Sequence, residues 1–185
     1  MDNLGLEYVS SVEAPPRETL GTPRWYAVHV RAKHEKRVAT GLREKGINVL
    51  LPVASQVHRW TDRRVIVEVP LFPCYVFVHA DLVAATRLAV LRTAGVFRFV
   101  GFTNGPAPIP DVQIEAVQAV LINQLPIASC GFIKVGQKVR IRGGALEGVE
   151  GILIGHNSGR KLIISIDLIK QSMAVAIEGY DIEPA

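Results

Sequence analysis

Apolar and polar residues alternate in short stretches of this chain, and a helical period separates the first two of them. The stretch "WYAVHV" (25–30) alternates like a β-strand. In "AKHEKRVATGLREKG" (32–46), Val38 and Leu42 lie four residues apart and Gly46 has the place of a helix C-cap. The pattern predicts a strand followed by a helix.

Two extended segments then predict a β-hairpin with a basic tip. "INVLLPVASQVHRW" (47–60) and "VIVEVPLFPCYVFVHA" (65–80) flank the turn sequence "TDRR", and the prolines of the second segment suit a strand edge or a bend. "DLVAATRLAVLRT" predicts a helix, "VFRFVGF" a strand and "NGPAPIP" a loop. "DVQIEAVQAVLINQL" predicts a last helix with Ile114, Val117 and Leu121 on one face. Mixed helices and strands with a hairpin predict an α+β sandwich over residues 24–125.

The segments on either side of this unit differ from it in composition and in hydrophobic pattern. Residues 1–23 are rich in Pro, Ser, Thr and Glu, which predicts a disordered tail. Residues 126–133 have no amphipathic period and are expected to be a linker. From 134 to 185, five short β-rich segments predict a small all-β barrel, in which Ile152, Ile154, Ile164 and Ile166 are core candidates.

Composition narrows the class of protein. A hydrophobic content of 49% with 21% charged residues is typical of a folded chain, and a net charge of +4 permits contact with a polyanion. The two cysteines, Cys74 and Cys130, lack CxxC or histidine spacing, so no disulfide framework, zinc site or other cofactor is predicted. No secretory signal or run of about 18 apolar residues is found, so we expect a cytoplasmic monomer.

Cys74 lies in "PLFPCYVFV" (70–78), which has three interpretations. The thiol could be a nucleophile, although no base or acid partner can be nominated for it. It could be a small filler in a packed strand. Alternatively, the neighbouring rings of Phe72 and Tyr75 could form an exposed docking surface, because exposed aromatic clusters often mark interfaces.

Four motifs together resemble one protein family. "VGQKVRIRGGALEGVEGILIG" is similar to a KOW motif, carried by Gly136, Val139, Arg140, Gly144, Gly148 and Gly151. "RWYAVHVRAKHEKRVATGLREKGINVLLP", "PLFPCYVFV" and "LRTAGVFRFVG" have the order and spacing of an NGN domain. The chain thus resembles NusG-family transcription elongation and antitermination factors over residues 24–185. "LFPCYVFV" is most similar to the specialised RfaH, UpxY and LoaP paralogues.

The resemblance implies a bacterial transcription factor rather than an enzyme. It implies that Phe72 and Tyr75 contact the RNA polymerase clamp helices, with Trp25 at the rim or in the core and Thr86 in a region that RfaH also uses. It implies that the KOW domain recruits a ribosomal protein or Rho. Expected contacts with non-template or upstream DNA are Arg31, Lys33, Lys36, Arg37, His58, Arg59, Arg63 and Arg64.

Alternatives remain open at each of these sites. Phe72 and Tyr75 could both be core residues, and the basic residues could be a solvated surface. A ribosome-associated or RNA-binding KOW protein would bind RNA without polymerase. β-Branched residues in the last 50 positions favour an all-β C-terminal domain in the whole chain, in contrast to the helical hairpin that RfaH can form there.

Overall fold

Two groups of elements follow one another along the chain. The computed structural model describes residues 22–59, 64–123, 125, 127–131, 136–156, 159–177 and 179–185. The first group is β1 (Arg24–Val30), α1 (Glu35–Glu44), β2 (Asn48–Leu50), β3 (Val53–Arg59), β4 (Arg64–Pro70), β5 (Tyr75–Ala80), α2 (Ala84–Leu91), β6 (Val96–Phe99), β7 (Gly101–Phe102), β8 (Gly105–Pro106), β9 (Pro108–Ile109) and α3 (Asp111–Ile122). The second group is β10 (Ile127–Gly131), β11 (Gln137–Arg142), β12 (Glu150–His156), β13 (Gly159–Ile166), β14 (Gln171–Ala176) and β15 (Asp181–Pro184).

The N-terminal sheet has the strand order β2-β5-β1-β6, with β9 also paired to β1. Strand β9 lies in the segment that was expected to be a loop. Strands β3 and β4 form a separate antiparallel hairpin in which Arg59 pairs with Arg64, while the tip at 60–63 lies outside the described residues. Antiparallel strands with packed helices confirm the predicted α+β class.

Alternation along β1 divides the N-terminal core in two. Tyr26, Val28 and Val30 pack with Val38 and Leu42 of α1 on one face of the sheet. Trp25 and Ala27 point to the opposite face, where Ile114 and Val117 of α3 cover them. Gly46 has a φ of +75° directly after α1, in agreement with the predicted helix end. In α3, Ile114 and Val117 are buried as expected, but Leu121 is only half-buried and Val120 is buried in its place.

The C-terminal sheet has six antiparallel strands in the order β10-β14-β13-β12-β11-β15. This confirms the all-β prediction. The sixth strand is β10, which pairs along its whole length with β14, so residues 127–131 of the predicted linker form a strand of this sheet. Ile164 and Ile166 are buried as expected, whereas Ile152 and Ile154 are half-buried.

Helix α3 joins the two domains. It packs against β13 and the 3-10 turn Gly144–Leu146. Gln113 Nε2 donates to Asp167 Oδ2 at 2.9 Å and Gln113 Oε1 accepts from the Asp167 backbone N–H at 3.3 Å. Asn123 Nδ2 donates to the carbonyl of Ala145 at 3.1 Å. One apolar cluster therefore extends through both domains, and the C-terminal domain is packed in place rather than free on a tether.

Among the described residues, no helix has both the length and the apolar character needed to cross a bilayer.

Candidate protein and nucleic-acid interface

The turn between β4 and β5, residues 71–74, buries its aromatic ring. The Phe72 side chain is 1% exposed and meets Phe77 edge-to-face, with ring centroids 5.5 Å apart. The Leu71 backbone N–H donates to the carbonyl of Pro52 at 2.9 Å. Gln171 Nε2 of β14 donates to the Pro73 carbonyl at 3.3 Å, so the C-terminal domain touches this turn. In this arrangement Phe72 is a core residue and has no surface to offer a partner.

Cys74 closes the same turn through its backbone. Its φ of +67° is in the left-handed region, which favours glycine because an L side chain crowds the following carbonyl. Its N–H donates to Glu35 Oε1 at 2.9 Å, and its carbonyl accepts from the Val30 N–H at 2.9 Å. The buried Glu35 carboxylate thus fixes the turn to α1. The side chain of Cys74 is half-buried, so it is only partly the buried filler that the sequence suggested.

Cys130, the second cysteine of the chain, does not have the environment of a nucleophile. Burial raises the pKa of the Cys130 thiol, and a nucleophilic cysteine needs the opposite shift. No cluster of metal-ligating side chains occurs in the described ranges of the chain.

Three rings form a row across the N-terminal sheet, on the face of Trp25 and Phe77. Tyr75 on β5 lies beside His29 on β1, and His29 lies beside Phe97 on β6, each pair with ring centroids 5.4 Å apart. Tyr75 and His29 are half-buried, whereas Phe97 is 60% exposed. We refer to Tyr75, His29 and Phe97 as the aromatic row. An exposed ring supported by two others is typical of a protein-binding surface.

The other two predicted polymerase-binding residues lie apart from the exposed end of this row. Trp25 is 9% exposed and stacks on His79 with centroids 4.9 Å apart, which favours its packing interpretation. Thr86 is on α2, whose Val90 packs on the opposite face of the sheet. The structure therefore does not bring Thr86 to the aromatic row.

The predicted basic cluster at the start of α1 is exposed, but its members differ. Arg31 and Lys33 lie in the connection before α1, where Lys33 has a φ of +64°. Lys36 is already paired, since its Nζ donates to Glu68 Oε2 at 2.8 Å. Arg37 follows Lys36 in the first turn of α1 and lines a cavity.

That cavity is basic and has a volume of about 500 Å³. Arg37 lines it together with Lys45 and Arg92, which follow the ends of α1 and α2. Thr40, Thr93 and one acidic residue, Glu44, also line it. Lys45 Nζ donates to the Ala89 carbonyl at 2.9 Å and to Thr93 Oγ1 at 2.6 Å. Lys45 and Arg92 were missed from sequence, because a basic residue at a helix C-terminus is common for its interaction with the dipole alone. We call this site the basic cavity.

The predicted hairpin residues can be placed only by their backbone. His58 and Arg59 on β3 pair with Val65 and Arg64 on β4. Arg63 lies outside the described residues. The pairing brings the basic segments of both strands together beside the tip.

The predicted KOW residues are structural in this arrangement. Val139 is 1% exposed and Arg140 Nε donates to Glu150 Oε1 at 2.9 Å. Gly136, Gly144 and Gly148 have positive φ angles. A Cβ at Gly151 would lie 2.5 Å from the Ile163 carbonyl, so only glycine lets β12 approach β13 there.

The chain thus combines an α+β domain that carries an exposed aromatic row with a small all-β domain. A family model described as "Transcription termination factor nusG" matches residues 23–118, just over half of the chain. The chain belongs to the NusG family of transcription termination and antitermination factors, a family of transcription factors rather than enzymes.

Relatives resemble the chain over nearly its whole length. The "Transcription termination/antitermination protein NusG" of Borreliella burgdorferi is 25% identical over 179 residues, covering 86% of this chain and 97% of that protein. The protein of the same name from Escherichia coli K12 is 28% identical over 176 residues, with 88% and 96% covered. A solved structure titled "Domain interaction in Thermotoga maritima NusG" is similar in fold, with a TM-score of 0.59 at 20% identity, covering 90% of this chain and 99% of that one.

Proposed function

We propose that this protein binds RNA polymerase through the aromatic row of its N-terminal domain and thereby modulates pausing or termination. The main support for this proposal is the exposure of Phe97, whose side chain is 60% exposed at the end of a row of three contacting rings. Polymerase clamp helices would present an apolar surface to this row, and burial of an exposed ring is a common source of binding energy at interfaces. Phe72 would support the row from beneath rather than contact the partner in the packed arrangement.

The basic cavity supports a second contact of the same bound protein. Arg37, Lys45 and Arg92 would neutralise phosphates of the non-template or upstream DNA strand. Arg31 and Lys33 extend the basic surface, together with the backbone-paired hairpin residues. The KOW domain would recruit a further partner, a ribosomal protein or Rho. An RNA-binding function for the C-terminal domain is less well supported, because carboxylates line its groove against α3.

The test is capture of core RNA polymerase by the full-length protein. We expect Tyr75→Ala with Phe97→Ala to lose at least about 90% of the captured polymerase, since aromatic hot spots contribute about 2 kcal/mol or more each. Phe102→Ala is the matched control, because Phe102 is 77% exposed on β7 and is not part of the row. Unchanged capture by the double variant, or equal loss by Phe102→Ala, would refute docking through the row. Phe72→Ala is a poor probe because it would open a core cavity.

The specialised-paralogue assignment has its own test. We propose that the chain serves one operon rather than all transcription units. Deletion of its gene with genome-wide measurement of transcripts would then change the distal transcripts of one operon only. Changes spread over most operons would indicate the general factor.

A further inference from the structure

Helix α3 and the C-terminal sheet enclose a groove of about 600 Å³. The side of α3 that faces away from the N-terminal core forms one wall, and β11, β12 and β13 form the other. Its apolar lining includes Val112, Ala116, Ala119, Val149, Ile152 and Ile163. Ile163 is 1% exposed even though it lies on the opposite face of β13 from Leu162, Ile164 and Ile166. The groove exists only while the two domains are packed together, because each domain supplies a wall.

The lining of this groove is acidic, whereas the protein as a whole is basic. Among the described residues that line it, four side-chain carboxylates, on Glu115, Glu147, Glu150 and Asp167, stand against one cation, Lys138. The chain as a whole has a net charge of +4. Glu150 is paired with Arg140, and Asp167 accepts from Gln113.

Two of these carboxylates are available to a ligand. Within the described part of the chain, the side-chain carboxylates of Glu115 and Glu147 have no hydrogen-bond or ion-pair partner. They come from different domains, Glu115 from α3 and Glu147 from the turn before β12. A cation placed in the groove would therefore be attracted by both walls.

We propose that the groove binds a cationic, amphipathic segment of a partner protein. Large apolar side chains would fill the floor between Ala116 and Ile163, and Lys or Arg side chains would pair with Glu115 and Glu147. A volume of about 600 Å³ is in the range of ligand pockets and holds a few side chains. Complementary charge at the rim would select a basic partner and exclude nucleic acid.

The chain's own N-terminal tail does not fit this groove. Residues 1–21 contain Asp2, Glu7, Glu13 and Glu18 against one base, Arg17. Carboxylates on both sides would repel one another. The occupant is therefore a different protein, and its site is separate from the aromatic row and the basic cavity.

Occupation has a consequence for the domain arrangement. A ligand held by both walls binds the packed arrangement and not the separated one, so it stabilises packing by mass action. The same arrangement places Gln171 on the Pro73 carbonyl. Binding in the groove should therefore slow amide hydrogen exchange in α3 and β13.

The test uses the full chain and a fluorescein-labelled amphipathic peptide of leucine and lysine, with a glutamate-for-lysine peptide beside it. We expect the lysine peptide to bind by fluorescence anisotropy and the glutamate peptide not to bind. Glu115→Gln with Glu147→Gln should weaken binding about tenfold, since each lost charge pair contributes a few-fold at a partly exposed site. Glu44→Gln with Asp81→Asn removes the same charge from the N-terminal domain and should leave binding unchanged.

A second variant guards against misfolding. Val112→Lys places a cation in the groove at a side chain that is 59% exposed, so the core is untouched, and binding should again be weakened. Amide NMR shifts on adding the lysine peptide should fall on both α3 and β13. No binding, equal binding of the two peptides, equal weakening by the control pair, or shifts confined to one wall would each overturn the proposal.

Discussion

The two faces of the N-terminal sheet differ in what covers them. Under α1 and α2, the apolar residues close into a core that belongs to the domain alone, with Val28, Leu42 and Val90 fully buried. On the other face, the core under α3 runs on into the C-terminal sheet, and Phe97 on the edge strand β6 is 60% exposed. The same strands serve both faces because their side chains alternate. One face therefore maintains the fold of the N-terminal domain alone, whereas the other also packs against the C-terminal domain and leaves Phe97 exposed.

Truncation of a buried side chain on each face should have the largest effect. Leu42→Ala and Phe72→Ala both remove fully buried groups, so we expect each to lower the free energy of unfolding by about 2–5 kcal/mol. Chemical denaturation of the full-length protein measures this loss. Only Phe72→Ala should also speed hydrogen exchange at the start of β14, because Gln171 contacts the neighbouring Pro73. Equal exchange in both variants would contradict the difference between the faces.

The domain contact itself can be broken at Gln113. Gln113→Ala removes two hydrogen bonds to Asp167, and we expect a loss of about 1 kcal/mol in domain packing, a typical net value for such bonds. NMR relaxation should then show more independent tumbling of the two domains. Gln56→Ala, at an exposed position on β3, is the control. Tumbling as one body in the Gln113 variant would show that the remaining contacts between the domains hold them together without these two bonds.

The turn between β4 and β5 contains backbone strain that a substitution can remove. Cys74→Gly relieves a left-handed conformation, and we expect a gain of up to about 1 kcal/mol after the entropy cost of glycine. Thermal unfolding measures the gain. Cys74→Ala loses the thiol but keeps the strain and should change the midpoint little. If alanine stabilised the protein as much as glycine, the effect would come from the sulfur and not from the backbone.

The smallest effect on stability is expected for the exposed ion pair between α1 and the β3–β4 hairpin. Lys36→Ala removes the ion pair with Glu68, in which both side chains are more than half exposed. We expect a change of about 0.5 kcal/mol or less, because solvent and salt screen such pairs. Denaturation at low and high salt should show the difference vanish at high salt. A loss above 1 kcal/mol would mean that the pair anchors the hairpin to α1.

Helices and strands with a clear hydrophobic period could be predicted from the sequence. Features that depend on residues distant in the sequence could not. Val38 and Leu42 indicated α1, and Ile164 and Ile166 indicated the core side of β13, because each element buries one face. Strand β10 has no such period, since it is defined by its pairing with β14 rather than by its own side chains. The burial of Phe72 was left open because Pro73 interrupts the alternation.

The candidate sites followed the same rule. Tyr75 and Arg37 were found from motifs that are contiguous in sequence. His29 and Phe97 were missed because neighbouring strands bring them together, and Lys45 and Arg92 were missed because two helix ends converge only in the fold. The Glu115 and Glu147 pair depends on the packing of one domain on the other, which no local pattern encodes.

Strand β10 also determines how far the C-terminal domain can travel. While β10 is paired with β14, only residues 123–126 connect it to α3, and this segment spans about 15 Å at full extension. If β10 peels away, residues 123–136 become available and the reach grows to about 50 Å. Strand β10 therefore stores additional linker length. A partner that took the place of β10 in the sheet would increase the reach of the C-terminal domain when it bound.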